Sequence, residues 1–291
     1  MSTSEQRKTI VVCGGTAGQA RGLISALLRD NSGGLWAVRA VVRDVHSSRA
    51  QQILTDFQTS DDRLSIVAGS VYDPESLRKA FAGAYGVFGL VFEVIPGKIL
   101  VNEEETAHDI EGGRNIVDAV KQCGVKHFIF SSLPDMVKAT SGRYHKIYHM
   151  DNKYAIEQYA RKELENTTFL IPGAFALGVD KTNGKTYPVM SSRITMDDMA
   201  SVFTRITGKP AVHSPLSHDE WADIAAKMLG PAYREDAKQM MQWFSEAPAE
   251  KICYGALDPG EDRSTEELGV SASTFEDWLK RSGWTGPSDV Y

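Results

Sequence analysis

Gly14-Gly15-Thr16-Ala17-Gly18-Gln19-Ala20-Arg21-Gly22 is the stretch from which the fold is read. It follows an apolar, β-branched run, Thr9 to Cys13, and leads into a helical pattern, Leu23 to Leu28. In a strand, small-residue turn and helix, the lack of bulk lets the backbone approach a pyrophosphate. The helix start adds free amides and the positive end of its dipole. The strict glycine form is missing, because Ala17 and Ala20 stand where glycine is usual. Position in the chain, more than the glycine count, therefore carries the reading.

Outward from this turn, apolar β-rich runs alternate with helical patterns. Further strands are expected at Ala37 to Val42, Leu64 to Ala68, Gly86 to Val91, Lys126 to Ser131 and Thr168 to Ile171. Helices are expected at Ser47 to Phe57, Pro74 to Phe81, Ile110 to Cys123 and Lys153 to Leu164. Asp73-Pro74-Glu75-Ser76 is a strong helix start, since Asp73 can cap free amides and Pro74 needs no donor in the first turn. Six strands with five crossovers predict an α/β, doubly wound parallel sheet of the Rossmann type. After Pro172-Gly173 the pattern changes to a polar turn, Asp180 to Lys185, and helices at Met196 to Ile206 and His218 to Met228. We therefore expect a dinucleotide-binding domain over 1–172. A small, mainly helical region over 173–291 would pack over the strand ends as a substrate wall.

The nucleotide is read at the end of the second strand, where an acidic residue suits the ribose 2′-OH of NAD and an arginine the 2′-phosphate of NADP. Val42-Arg43-Asp44 offers both, with Arg49 beyond. Arg43 at the strand end favours NADP(H), and Asp44 keeps NAD open. Composition excludes more than it names. The chain has 291 residues, 42% hydrophobic and 24% charged, with a net charge of -6. Its basic residues are scattered, so neither nucleic acid nor an anionic membrane is an expected partner. The first residues lack a signal-peptide pattern, and no run approaches a membrane span, which predicts a cytoplasmic protein. Cys13, Cys123 and Cys253 have no metal-ligand spacing and are expected to be reduced, buried thiols, with no metal bound.

The sequence resembles the NmrA-like family of atypical short-chain dehydrogenases, which includes fungal regulators of nitrogen metabolism, redox-sensing relatives and isoflavone-reductase-like enzymes. The resemblance rests on Val12 to Gln19, Val42-Arg43, Gly69 to Leu77, Gly124 to Ser132 and His149 to Tyr159, and covers roughly the first 175 residues. It implies that Gly14, Thr16, Ala17, Gly18 and Gln19 hold the pyrophosphate and that Arg43 holds the 2′-phosphate. It places Ser131 and Ser132 beside the nicotinamide, Lys153 on the nicotinamide ribose, and Pro172-Gly173 in a loop over the ring. Two departures stand out. Ser70 replaces a common Asp that follows Gly69, and His149 stands four residues before Lys153, where ordinary short-chain dehydrogenases carry a proton-donating tyrosine. The segment from Phe175 to Arg193 also looks shorter than in relatives, which usually carry an extra helix and strand there.

The candidates for chemistry are therefore Lys153 and, in place of the tyrosine, His149, which titrates near neutrality. Tyr144 and Tyr148 are phenols at helical spacing, more consistent with packing. His213, Ser214 and His218 lack a nucleophile elbow, so a hydrolase is not expected. Asp61-Asp62 and Glu103-Glu104-Glu105 are read as solvated charge. The favoured function is an NADP(H)-dependent oxidoreductase acting on a small organic metabolite, as in secondary metabolism. Two others stay open: a non-catalytic NADP(H) sensor or transcriptional regulator acting through a protein partner, and a cofactor-binding cyclase or isomerase in natural-product synthesis.

Overall fold

The computed structural model describes residues 7–29, 36–171, 182–189, 194–269 and 272–286. Its sheet has the order β3-β2-β1-β4-β5-β6-β7, every pair parallel. The strands are β1 (Lys8–Val12), β2 (Trp36–Val42), β3 (Leu64–Ala68), β4 (Gly86–Gly89), β5 (His127–Ser131), β6 (Thr167–Ile171) and β7 (Lys185–Pro188). This is the Rossmann arrangement, with its switch point between β1 and β4, where the strand order reverses and ligands bind beyond the carboxyl ends.

Alternation along β1 assigns the two faces. Val11 joins Val87, Phe128 and Phe130 in a layer with Leu77, Phe81, Ile116, Val117 and Ile156. Val12 joins Val38, Ala40, Val42 and Phe88 under Ala20, Leu23, Ile24 and Ile53. The covering helices are α1 (Gly18–Arg29) and α2 (Ser48–Asp56) on one face, and α3 (Pro74–Phe81), α4 (His108–Gln122) and α6 (Tyr148–Glu163) on the other. The short helix α5 (Met136–Ala139) precedes α6. Asp73 caps α3 as expected, its carboxylate accepting from the amides of Glu75 and Ser76 at 3.1 Å each. Where α4 and α6 cross, a Cβ on Gly113 would run into the Ile156 side chain. The glycine therefore lets the two backbones approach and brings the first turns of both helices to one place.

Two sequence expectations are corrected. The strand count rises from six to seven, because Lys185 to Pro188, of which only Lys185 belonged to the expected polar turn, adds β7 to the open edge of β6. The segment is only 4 residues long and ends on proline, which an edge strand tolerates. Helix α6 begins at Tyr148, five residues before the expected start at Lys153. Its N-cap position, Ile147, has no capping side chain, and the amide of His149 donates instead to Asp236, at 2.9 Å, from a distant helix.

That helix belongs to the C-terminal region, which comprises α7 (Met196–Thr207), α8 (His218–Leu229), α9 (Arg234–Glu246), α10 (Ser264–Leu268) and α11 (Phe275–Ser282). Trp243 of α9 packs with Met136, Tyr144, Ile147 and Met150, and Tyr233 packs with Leu100. Burial of these large side chains holds α9 against the start of α6. Among the described residues no helix is long and apolar enough to cross a membrane. Cys13 and Cys253 are buried free thiols, both pushed up to about 12 by burial, whereas Cys123 is half-buried rather than buried.

Candidate functional site

The glycine-rich turn lies at the carboxyl end of β1. Gly14 has φ +62, and a Cβ there would stand 2.7 Å from the Phe92 ring. Gly15 lies so close to β2 that a Cβ would sit 2.9 Å from that of Ala40, and its amide donates to the Val41 carbonyl at 2.9 Å. Thr16, Gly18 and Gln19 face solvent, Ala17 is half-buried, and nothing lies within 4 Å of the space a Gly18 Cβ would take. A helix start leaves its first amides without intrahelical acceptors, and with the small residues of the turn before it this makes a cradle suited to an anion. Ser131, at the end of β5, donates to Gln19 Oε1 at 2.8 Å, which ties the turn to the strand end. Ser132 is buried next to it.

At the end of β2, Arg43 is exposed and has no hydrogen bond or ion pair among the described residues. Its neighbour is differently placed. Asp44 Oδ1 accepts from the amide of His46 at 2.8 Å and the Asp44 carbonyl accepts from Ser47 Oγ at 2.8 Å, so this carboxylate folds into its own loop. Arg49 is exposed in the first turn of α2. Ser70 also turns inward, its hydroxyl accepting from the amide of Tyr72 at 3.2 Å.

Between α4, α6 and α9 lies a buried polar cluster. Lys153, 6% exposed, donates to Glu93 in the loop that follows β4. Burial works to raise Glu93, but the charge and hydrogen bond of Lys153 outweigh it and hold the carboxyl below its usual range. His149 shares the helix face with Lys153, one turn earlier. Its Nδ1 lies 2.9 and 2.7 Å from the two carboxylate oxygens of Asp236, which is 4% exposed. Asp109, 1% exposed, has no hydrogen-bond partner for either carboxylate oxygen. Burial pushes its carboxyl up to about 8; Lys153 pulls the other way, and Glu93 and Asp236 add to the rise. Beside it, His108 Nδ1 meets the Tyr72 hydroxyl at 2.7 Å, and burial lowers the affinity of this histidine for a proton.

The expected site residues thus fall into two groups. Gly14, Thr16, Ala17, Gly18, Gln19 and Ser131 gather at the strand ends, with Arg43 at the end of β2. Lys153 and His149 gather in the polar cluster, where Lys153 is already held by Glu93. Pro172, Gly173 and most of the segment from Phe175 to Arg193 lie outside the described residues. The phenols are engaged elsewhere: Tyr144 donates to Glu246 at 3.0 Å and Tyr148 to Glu103 at 2.7 Å. His213 pairs with Asp197 and His218 with Ser245, both exposed, and they form no triad with Ser214. The two acidic runs are more engaged than expected, Asp61 pairing with Arg7 and Arg63, and Glu103 with Lys146. Sequence reasoning missed Phe92, Glu93, Asp109 and Asp236. A loop residue after a strand and single carboxylates near helix starts carry no periodic signal, so nothing in the pattern marks them.

The profile of the NmrA-like family matches residues 6–179, well over half of the chain. Among curated proteins, the chain is 28% identical over 177 residues to the NmrA-like family domain-containing oxidoreductase malD of Malbranchea aurantiaca, covering 58% of this chain and 47% of that protein. It is 30% identical over 178 residues to the oxidoreductase lnaB of Aspergillus flavus, covering 59% and 47%. The chain matches about half the length of these relatives. Among solved structures, the negative transcriptional regulator NmrA in complex with NAD superposes with a TM-score of 0.61 at 18% identity, covering 98% of this chain and 93% of that one. The Citrobacter sp. triphenylmethane reductase complexed with NADP(H) gives 0.58 at 19% identity, covering 94% and 99%. These likenesses establish the shared fold.

Proposed function

Because the chain belongs to the NmrA-like family, we propose that it is an NADP(H)-dependent oxidoreductase acting on a small organic metabolite. One observation carries the choice of nucleotide: among the described residues Arg43 has no partner at the end of β2, while Asp44 is bound into its own loop. A guanidinium with free donors suits the 2′-phosphate, and a carboxylate already accepting from a backbone amide is less available to a 2′-OH. The Gly14 to Gln19 cradle would take the pyrophosphate, with Gln19 and Ser131 toward the nicotinamide half. Lys153 would hold the nicotinamide ribose, sharing its ammonium with Glu93. Bound there, the dinucleotide supplies hydride. Residues 173–291 would close the substrate side, as α9 already closes the polar cluster.

Supporting this reading, the curated relatives malD and lnaB carry the name oxidoreductase. A sensor is the second reading, favoured by the likeness to the transcriptional regulator NmrA and by the engagement of the Tyr148 hydroxyl with Glu103. Turnover separates the two. NADPH is incubated with a panel of quinones, enones, imines and aryl ketones, and loss of reduced-nicotinamide absorbance is followed for the wild type and Lys153→Met. An oxidoreductase consumes NADPH with at least one class, and the variant is slowed. A protein that binds NADPH tightly yet stays at the background rate throughout the panel is a sensor.

A further inference from the structure

The C-terminal region also bears on the chemistry. We propose that Asp236, from α9, is the positioning residue that holds His149 with its Nδ1 protonated, so that Nε2 is the proton-transferring atom of the site. The inference rests on the oxidoreductase reading above, in which His149 stands where short-chain dehydrogenases place their proton donor.

The geometry is specific. A carboxylate only accepts, so the contacts of 2.9 and 2.7 Å from Asp236 to Nδ1 require the proton on that nitrogen. The same carboxylate accepts from the His149 amide at 2.9 Å, which fixes ring and backbone together. Asp236 is 4% exposed, and Nε2 has no partner among the described residues. The charged or titratable groups around the imidazole are Asp236 on α9, Glu93 after β4, Lys153 one turn along α6, and Asp109 on α4, which feels Lys153, Glu93 and Asp236. Glu93 and Lys153 largely cancel as a pair. Asp236 is left as the carboxylate that fixes the ring and its tautomer, as the orienting carboxylate of a catalytic imidazole does.

In reduction of a carbonyl or imine, a bound reduced nicotinamide would supply hydride to carbon, and the oxygen or nitrogen left with the π pair would take the proton from His149 Nε2. The imidazole then regains a proton from solvent, while Nδ1 keeps its own proton against Asp236. The tail thereby adds Asp236 to a polar cluster whose other named members, Glu93, Asp109, His149 and Lys153, lie before Ile171.

The test is side-chain nitrogen NMR on protein labelled at its 7 histidines, with His149 assigned by the signal lost in His149→Gln. The expected wild-type result is a proton held on Nδ1. In Asp236→Asn the Nδ1–H form loses its dominance, since an amide offers a donor as well as an acceptor to the ring; Asp236→Glu restores part of it. A wild-type His149 with unprotonated Nδ1 overturns the proposal, even where a variant fails to fold. So does a folded Asp236→Asn protein in which the Nδ1–H form of His149 is as dominant as before. NADPH titration of the same samples separates the two claims: failure of the wild type to bind defeats the cofactor reading and leaves the imidazole result standing, whereas normal binding with an unchanged His149 defeats only the role of Asp236.

Discussion

Replacing Asp109 by asparagine should stabilise the protein, and by more at alkaline than at acidic pH. Among the described residues neither buried Asp109 carboxylate oxygen has a hydrogen-bond partner, the His108 ring standing 3.6 Å away, and its carboxyl is pushed up to about 8, against about 3.9 in an unfolded chain. The sign follows from linkage. Between those values the unfolded state has released the proton and the folded state keeps it, so folding stability falls as pH rises and levels off above the folded value. The loss is about 1.5 kcal/mol at about pH 5 and about 5 kcal/mol at about pH 8. Asparagine does not titrate, so whatever its own packing costs, its stability relative to wild type should rise by about 3–4 kcal/mol between those two conditions. Urea unfolding of both proteins at the two pH values measures this difference directly. Parallel curves, with the same offset at both, would refute the argument and mean that Asp109 finds a partner or ionises in the folded state.

Other expectations follow from the same geometry. Lys153→Met leaves Glu93 without its counter-charge in a mostly buried place and should lower stability by about 3 kcal/mol, read from the unfolding midpoint; an unchanged midpoint would mean that Glu93 turns to solvent. Gly14→Ala places a Cβ at φ +62 and 2.7 Å from the Phe92 ring and should cost about 1–3 kcal/mol. Adding Phe92→Ala should restore the share due to the contact, and a double variant no more stable than expected from simple addition would remove Phe92 from the explanation. His127, buried against Thr168 at 2.8 Å, is pushed down by burial to about 4. Its depressed value means that stability is full above about pH 6.5 and is lost as pH falls toward about 4, so His127→Gln should flatten that limb of an unfolding-against-pH curve by about 3 kcal/mol.

How much of this was legible in the sequence depends on the range of the interaction concerned. The strands β1 to β6 and the phosphate turn are encoded locally, in β-branched runs followed by small residues, and the first of them runs from Lys8 to Val12 against an expectation of Thr9 to Cys13. The capped start of α3 at Asp73 is likewise written in adjacent residues. The start of α6 is not, because its supporting acceptor, Asp236, lies 87 residues away. Strand β7 escaped because its pairing with β6, more than its own short pattern, makes it a strand. Arg43 and Lys153 were found as residues, but their states were not: that Arg43 has no partner among the described residues and that Lys153 is already held by Glu93 depends on how the loops after β2 and β4 fold. The role of the tail was anticipated only as a wall. Its charged contribution to the polar cluster comes from a single buried carboxylate in an otherwise ordinary amphipathic helix.

The central claim is that the cradle at Gly14 to Gln19 and the free guanidinium of Arg43 together bind NADP(H). Calorimetric titration of the wild type and Arg43→Ala with NADPH and NADH tests it most directly. The account predicts that the wild type prefers NADPH, and that Arg43→Ala loses about 10-fold or more of NADPH affinity, the worth of a charge-assisted phosphate contact, with little change for NADH. Equal affinities in the wild type, or no binding of either nucleotide, would contradict it.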